Sequence, residues 1–247
     1  MIIYGYYHTH TTYSHGKGSI LDNAMVAKNK GLKEIAITDH GFTHRTFGVK
    51  RKDIENIIMD IEKAKKATGV NILFGIEENF VSLDGKIGVL PRDLDFLNIV
   101  SAGYHKLVRT ASLKDYAGLL VPNNLKWYTN RQIEKNTICV LKAIETQPIN
   151  IITHLGVGMP VNVEEVAKMA NEKNVLIELN GKRISFTPAD MDALLKHNTK
   201  FILNSDAHRP EKVGDVRNGM GYVLKYSIPE KNIVNLGKKP DFKQIKF

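Results

Sequence analysis

The stretch YHTHTTYSHG, residues 7–16, places His8, His10 and His15 within eight positions. Imidazole is the commonest protein ligand for transition metals. Two of them two residues apart in extended backbone project to one side, where they can share an ion. The other candidate donors lie far apart: His40 in ITDHG, Glu77 in FGIEEN, His105 in SAGYH, His154 in IITHLG, and Asp206 with His208 in NSDAH. Asp206 and His208 repeat the spacing of His8 and His10. Neutral imidazoles with carboxylates suit Zn²⁺, and also Mn²⁺ or Fe²⁺. Seven of the nine histidines plus two acids make nine donors, more than one ion needs, so a multinuclear site follows if they converge. Glu78 competes with Glu77, because strand alternation turns only one of them inward. His44, in GFTHRTFG, is a loop residue near the same region. His197 ends a helical segment, where a cation complements the helix dipole, and is assigned a structural role.

What must position these donors is an alternation of short apolar runs and longer amphipathic stretches. The runs are 2–7, 34–38, 71–76, 94–102, 149–153, 175–180 and 200–205, rich in Ile and Val as strands buried on both faces of a parallel sheet are. Between them, Ser19 caps a helix that Gly31 closes, and 53–67 carries Ile54, Ile57, Ile58 and Ile61 at helical spacing. Further helices are expected over 131–147 behind Thr129, over 163–173, and over 188–197 with Thr187 as cap and Pro188 in the first turn. Seven strands interleaved with helices give an α/β fold, a parallel barrel or an open sheet. Six of the seven then deliver a histidine or an acid at their C-terminal ends, the edge where such folds build active sites. Two segments break the rhythm: Asp84-Gly85 signals a hairpin within 80–89, and 106–128 reads as a lid or insertion. With no repeat and no dividing linker, residues 1–247 read as one domain.

Composition narrows the rest. The chain is 43% apolar and 25% charged, which argues against disorder. Its single cysteine, Cys139, excludes a disulfide framework and reads as core packing. No apolar stretch approaches the ~20 residues needed to cross a bilayer, and MIIYGYYHTH lacks a signal peptide's basic n-region, so a cytoplasmic protein without membrane partners is expected. The net charge of +9 favours anionic partners.

Taken in order, HTHTTYSHG, AITDHG, GIEEN, AGYH, ITHLG and NSDAHRPEKVG resemble the PHP superfamily, named for polymerase and histidinol phosphatase, over roughly residues 4–217. The resemblance implies a distorted (β/α)₇ barrel. It also implies three divalent ions, zinc first and manganese or iron as alternatives. His8, His10, Glu77 and Asp206 would hold the first ion. Glu77 would bridge to a second, completed by His105 and His154, and His15, His40 and His208 would hold the third. His15, where many polymerase-associated relatives carry Asp, points to the compact stand-alone bacterial phosphatases. The implied activity is a metal-dependent phosphoesterase, a phosphatase that hydrolyses phosphate monoesters with a metal-activated hydroxide, so no separate general base is needed. Asp39, beside His40, is then an orienting residue. Arg209, and below it Lys17 and Lys106, are the candidate phosphate-binding cations. A small phosphorylated substrate is the expected partner, with nucleic acid not favoured. The alternatives are a nuclease or phosphodiesterase acting on nucleic-acid ends, a histidinol-phosphate phosphatase, and a non-catalytic metal-binding module.

Overall fold

The computed structural model describes residues 2–247. Its centre is a seven-stranded sheet of β1 (Gly5–Tyr6), β2 (Glu34–Ile37), β3 (Asn71–Asn79), β4 (Ile99–Gly103), β5 (Ile151–Ile152), β6 (Leu176–Asn180) and β7 (Phe201–Asn204). The strands lie side by side in chain order, every neighbouring pair parallel. A parallel ladder needs a crossover between consecutive strands, and the amphipathic segments supply most of these. They are α1 (Ile20–Asn29), α2 (Ile54–Thr68), a helical stretch from α3 (Leu113–Asp115) through a π turn over Tyr116–Leu120 to α4 (Val121–Asn124), α5 (Asn130–Thr146), α6 (Val163–Glu172) and α7 (Pro188–Lys196). α8 (Arg217–Lys225) follows β7.

Helix ends fall where the sequence puts its caps. Ser19, Thr129 and Thr187 each accept a backbone N–H in the first turn of their helix, and Gly69 closes α2 at φ 75°. α2 turns Ile57, Ile61 and Ala64 into the core, while Ile58 stays exposed.

Alternation along the strands sorts the ring's interior into layers. Tyr7, Ala36, Ile99, Ile151, Leu176 and Ile202 pack together as an apolar plug. Two residues further along the same faces come Ser101, Thr153, Glu178 and Asn204, all buried and polar. The outer faces of the strands pack against the helices in the larger core.

β1 and β7 share no strand ladder among the described residues; one parallel bridge just beyond them, Thr9 to Ala207 with the His10 N–H donating to the Ala207 carbonyl at 2.8 Å, and a set of side-chain amides join the seam. Asn204 accepts the Tyr7 N–H at 2.8 Å. Asn235 accepts the Leu203 N–H at 3.1 Å and donates to the carbonyls of Gly5 and Leu203 at 3.0 and 2.8 Å. At the strands' N-terminal end, buried Glu34 accepts hydrogen bonds from Tyr7 and Asn71 and pairs with Lys239, while the Phe242 ring stands edge-on to Tyr7 at 5.0 Å.

Four expectations change. β3 runs on to Asn79, so Glu77 lies within the strand rather than after it. The run 94–102 yields a strand only from Ile99, preceded by a 3₁₀ turn over Pro91–Asp95. The hairpin shrinks to one antiparallel bridge, Phe80 to Ile87, around Gly85 at φ 78°. Residues 106–128 carry a helical stretch over 113–124, anchored by buried Leu119 and Leu120. α8 went unforeseen because its two glycines break a helical pattern. Gly219 is there for close approach: a Cβ would lie 2.7 Å from the Leu179 carbonyl oxygen.

Candidate metal centre

The C-terminal mouth of the ring gathers the nine donors. His8 and His10 leave β1 and sit fully buried with Nε2 atoms 3.1 Å apart. Asp206, beyond β7, brings Oδ1 within 3.3 Å of His10 Nε2 and 3.7 Å of His8 Nε2. Glu77, on the inner face of β3, faces a different set with each oxygen. Oε1 lies 2.9 Å from His154 and 3.3 Å from His8. Oε2 lies 3.1 Å from His40, 3.5 Å from His105 and 3.6 Å from His10. Glu78 points the other way, accepting from the Phe42 N–H and the Thr43 hydroxyl. The alternation that left two candidates is thereby resolved in favour of Glu77.

Three groups have donor atoms mutually within 4.8 Å: His8 with His10 and Asp206, His10 with His40 and His208, and His40 with Glu77 and His105. His15 flanks the second group, its ring stacked on His40 at 4.8 Å and edge-on to His208 at 4.2 Å. His10 thus joins His40 and His208 in one close group, with the His15 ring at comparable distance from both.

The arrangement suits cations. Oε2 of Glu77 and Nδ1 of His40 are 3.1 Å apart, yet both are buried without a hydrogen-bond partner, as are Nδ1 of His10 and His15. A cation set against Glu77 Oε2 and His40 Nδ1 would satisfy both. Leaving buried polar atoms unpaired costs about 1–3 kcal/mol each, which a ligand there would offset. Burial pushes the His10 and His105 rings well below the usual imidazole range and His15 down to about 4, keeping them neutral, as ligation requires. Burial opposes charge on Glu77 and Asp206 too, but the surrounding histidines, His8 foremost, hold both carboxyls well below their usual range.

The loops carrying the donors are held in place. Asp39 accepts the Thr11 N–H at 2.6 Å and the Thr11 and Ser14 hydroxyls at 2.5 and 2.7 Å, bracing the turn between His10 and His15. Asn79 meets His105 Nδ1 at 2.7 Å. His154 and Asp206 adopt left-handed backbone, φ 32° and 49°, which L-residues enter only at a cost of about 1–3 kcal/mol. Gly103 permits the approach of His154, since a Cβ there would come within 2.7 Å of its ring.

A cavity of about 200 Å³ opens above the donors, lined also by Tyr104, Val157, Lys182 and Arg183. The cations at the mouth are therefore Lys182 and Arg183, from the turn after β6. Arg209, Lys17 and Lys106 are exposed and outside the lining, and Arg209 turns toward Glu211 at 3.9 Å. Lys182 and Arg183 follow the one strand with neither a histidine nor an acid after its end, so nothing in the donor pattern drew attention to them. His44 lies beside the centre, 5.0 Å from the His40 ring, its Nδ1 accepting the Phe47 N–H. His197 caps α7 and faces Glu164 at 3.3 Å.

A seven-stranded parallel barrel with a histidine- and carboxylate-rich mouth defines the class as barrel proteins built around a metal centre. The PHP-domain family profile matches residues 6–182, and the chain belongs to that family. It is 30% identical over 248 residues to a probable phosphatase of Clostridium novyi (strain NT), an alignment spanning 94% of this chain and 90% of the relative. It is also 28% identical to one of Clostridium botulinum (strain Hall), over 97% and 93% of the two chains. Among solved structures, histidinol phosphate phosphatase from Lactococcus lactis, complexed with zinc, L-histidinol and phosphate, superposes with TM-score 0.60. The two are 15% identical, and the match covers 93% of this chain and 95% of that one. No helix among the described residues is long and apolar enough to cross a membrane.

Proposed function

We propose that the chain is a metal-dependent phosphatase, one catalytic unit that hydrolyses small phosphate monoesters at the barrel mouth. The observation that carries this is the convergence of seven imidazoles and two ionised carboxylates, several with unpartnered atoms, beneath a cavity edged by Lys182 and Arg183. Family membership and the phosphatase names of full-length relatives support it.

His8, His10 and Asp206 would hold one ion, Glu77 with His105 and His154 a second, and His40 with His208 and either His10 or His15 a third. Zinc suits this donor set best, with manganese or iron as substitutes. Bound there, such ions supply a water acidified toward neutral pH and positive charge for the phosphoryl oxygens.

The chain's own residues do the rest. Glu77 presents one oxygen to His8 and His154 and the other to His40, His105 and His10, tying the donor groups into one rigid array. Arg183, exposed at the rim with no carboxylate partner among the described residues, is free to take phosphoryl oxygens as a bidentate fork. Lys182, 3.3 Å from Asp206 Oδ1, adds a second cation beside the donors. Tyr104 and Val157, which also line the cavity, would offer the leaving group an apolar surface.

The test is elemental analysis of protein purified without chelator, coupled to turnover of an aryl phosphate with Zn²⁺ and with Mn²⁺. Two to three ions per chain and turnover that chelator abolishes are expected. Less than one ion per chain, or no turnover with either metal, sinks the reading. Turnover of oligonucleotide ends in preference to any monoester would shift it to the nuclease alternative.

A further inference from the structure

β6 looked barren in the sequence, the one strand without a histidine or acid after its end. Its inner face nevertheless carries Glu178, buried directly beneath the donors. Four donors converge on that carboxylate. His8 Nδ1 at 2.7 Å and Asn204 Nδ2 at 3.1 Å meet Oε1. The His154 N–H at 3.0 Å and Asn180 Nδ2 at 2.8 Å meet Oε2. A carboxylate has about four lone-pair sites, so Glu178 is saturated and has no capacity left to ligate a cation itself.

We infer that Glu178 is the positioning residue of the centre: it fixes His8 with Nδ1 protonated and Nε2 turned to the ions, and it pins the left-handed backbone of His154. The inference rests on the metal-dependent phosphatase reading above. The other three partners of Glu178 are N–H groups that can only donate, so the carboxylate serves as their acceptor and the proton in the 2.7 Å contact is assigned to His8 Nδ1. That leaves His8 Nε2 to face His10 at 3.1 Å and Glu77 at 3.3 Å. The His154 N–H is held at a residue whose φ of 32° the chain would otherwise relax. Asn180 extends the row: its Oδ1 accepts the Lys182 and Arg183 N–H groups at 2.7 and 3.0 Å. One strand thus aims two donors and both mouth cations.

Glu178→Gln is the sharp variant, because all four partners donate and an amide must turn its NH₂ toward two of them. Glu34→Gln, a buried carboxylate at the other end of the ring, is the control. For the chelator-stripped proteins, folding is checked by circular dichroism and the His8 ring is read by ¹⁵N chemical shifts. Zinc affinity is then measured by competition with a chromogenic chelator, and kcat and KM with an aryl phosphate. Glu178→Gln should lose about 10–100-fold in zinc affinity, lose kcat more than KM, and abolish the fixed Nδ1–H signature of His8. Glu34→Gln should keep wild-type affinity and the His8 signature. If Glu178→Gln does not fold, Glu178→Asp, which keeps the carboxylate on a shorter arm, should show a smaller loss in the same three readouts. Affinity within twofold of wild type with an unchanged His8 signature in the folded variant overturns the inference, as does equal loss in Glu34→Gln. Wild-type protein that neither binds zinc nor turns over the ester defeats the phosphatase reading instead, and the ¹⁵N signature still decides whether Glu178 holds His8.

Discussion

Both ends of the barrel bury carboxylates among polar side chains, but only one end is self-sufficient. At the strands' N-terminal end, Glu34 is met by Tyr7, Asn71 and Lys239, and Phe242 caps the apolar layer behind it. At the C-terminal end, Glu77 and Asp206 lie among imidazoles whose atoms are near but misaligned, several unpartnered, on backbone that includes two left-handed residues. A network whose purpose is structural satisfies itself within the chain. One that binds a ligand leaves donor atoms without partners inside the chain and is braced from outside, here by Asp39, Asn79 and Glu178. Glu34 and Glu77 are both fully buried, so completeness of partners rather than depth separates the two carboxylates.

Breaking the incomplete end should cost the most. Chelation, or Glu77→Gln, should lower kcat/KM on an aryl phosphate by at least ~10³-fold, since several kcal/mol of transition-state stabilisation depend on the ions. Circular dichroism should remain native. Deleting residues 238–247 attacks the other end, removing Phe242 and the Lys239 partner of buried Glu34; a loss of about 3–5 kcal/mol is expected from urea unfolding. Adding zinc at about 100 times its dissociation constant should stabilise the wild type by about 2.7 kcal/mol. Calorimetry should find most of that gain absent in a His10→Ala variant. Glu34→Gln should cost about 1–3 kcal/mol through its unsatisfied donors, with kcat per folded molecule unchanged. A matching fall in kcat there would erase the distinction between the two ends.

Much of this was legible because strand ends are where parallel sheets put their donors. Isoleucine- and valine-rich runs announced the seven strands, and caps such as Ser19, Thr129 and Thr187 marked the helices within a residue or two. The donors that leave β1, β2, β4, β5 and β7 meet at one mouth with the Glu77 of β3. What escaped was carried by residues with no type signal of their own. Glu178 sits in VLIELN, where alternation with Leu176 and Asn180 does turn it inward, but a lone acid inside a strand looked like any other polar residue. Lys182 and Arg183 were hidden among 35 basic residues, and only their place in the cavity lining separates them from Arg209. His15 shows the complementary limit: spacing brings it to the centre, but not that its ring would lie against His40, Phe47 and His208 outside the three close groups.

The seam between β1 and β7 has a consequence for how the protein comes into being. The Tyr7–Asn204 bond spans 197 residues of chain, and Asn235 completes the join from further still. The first stave of the barrel must therefore wait, unpaired on one edge, until the last has been made. Non-local closure of this kind slows folding and leaves a sticky strand edge exposed meanwhile. His8 and His10 hang from that first stave and Asp206 and His208 from the last. The centre is thus among the final features to assemble, and a nascent chain halted before residue 200 carries most of the donors but no site.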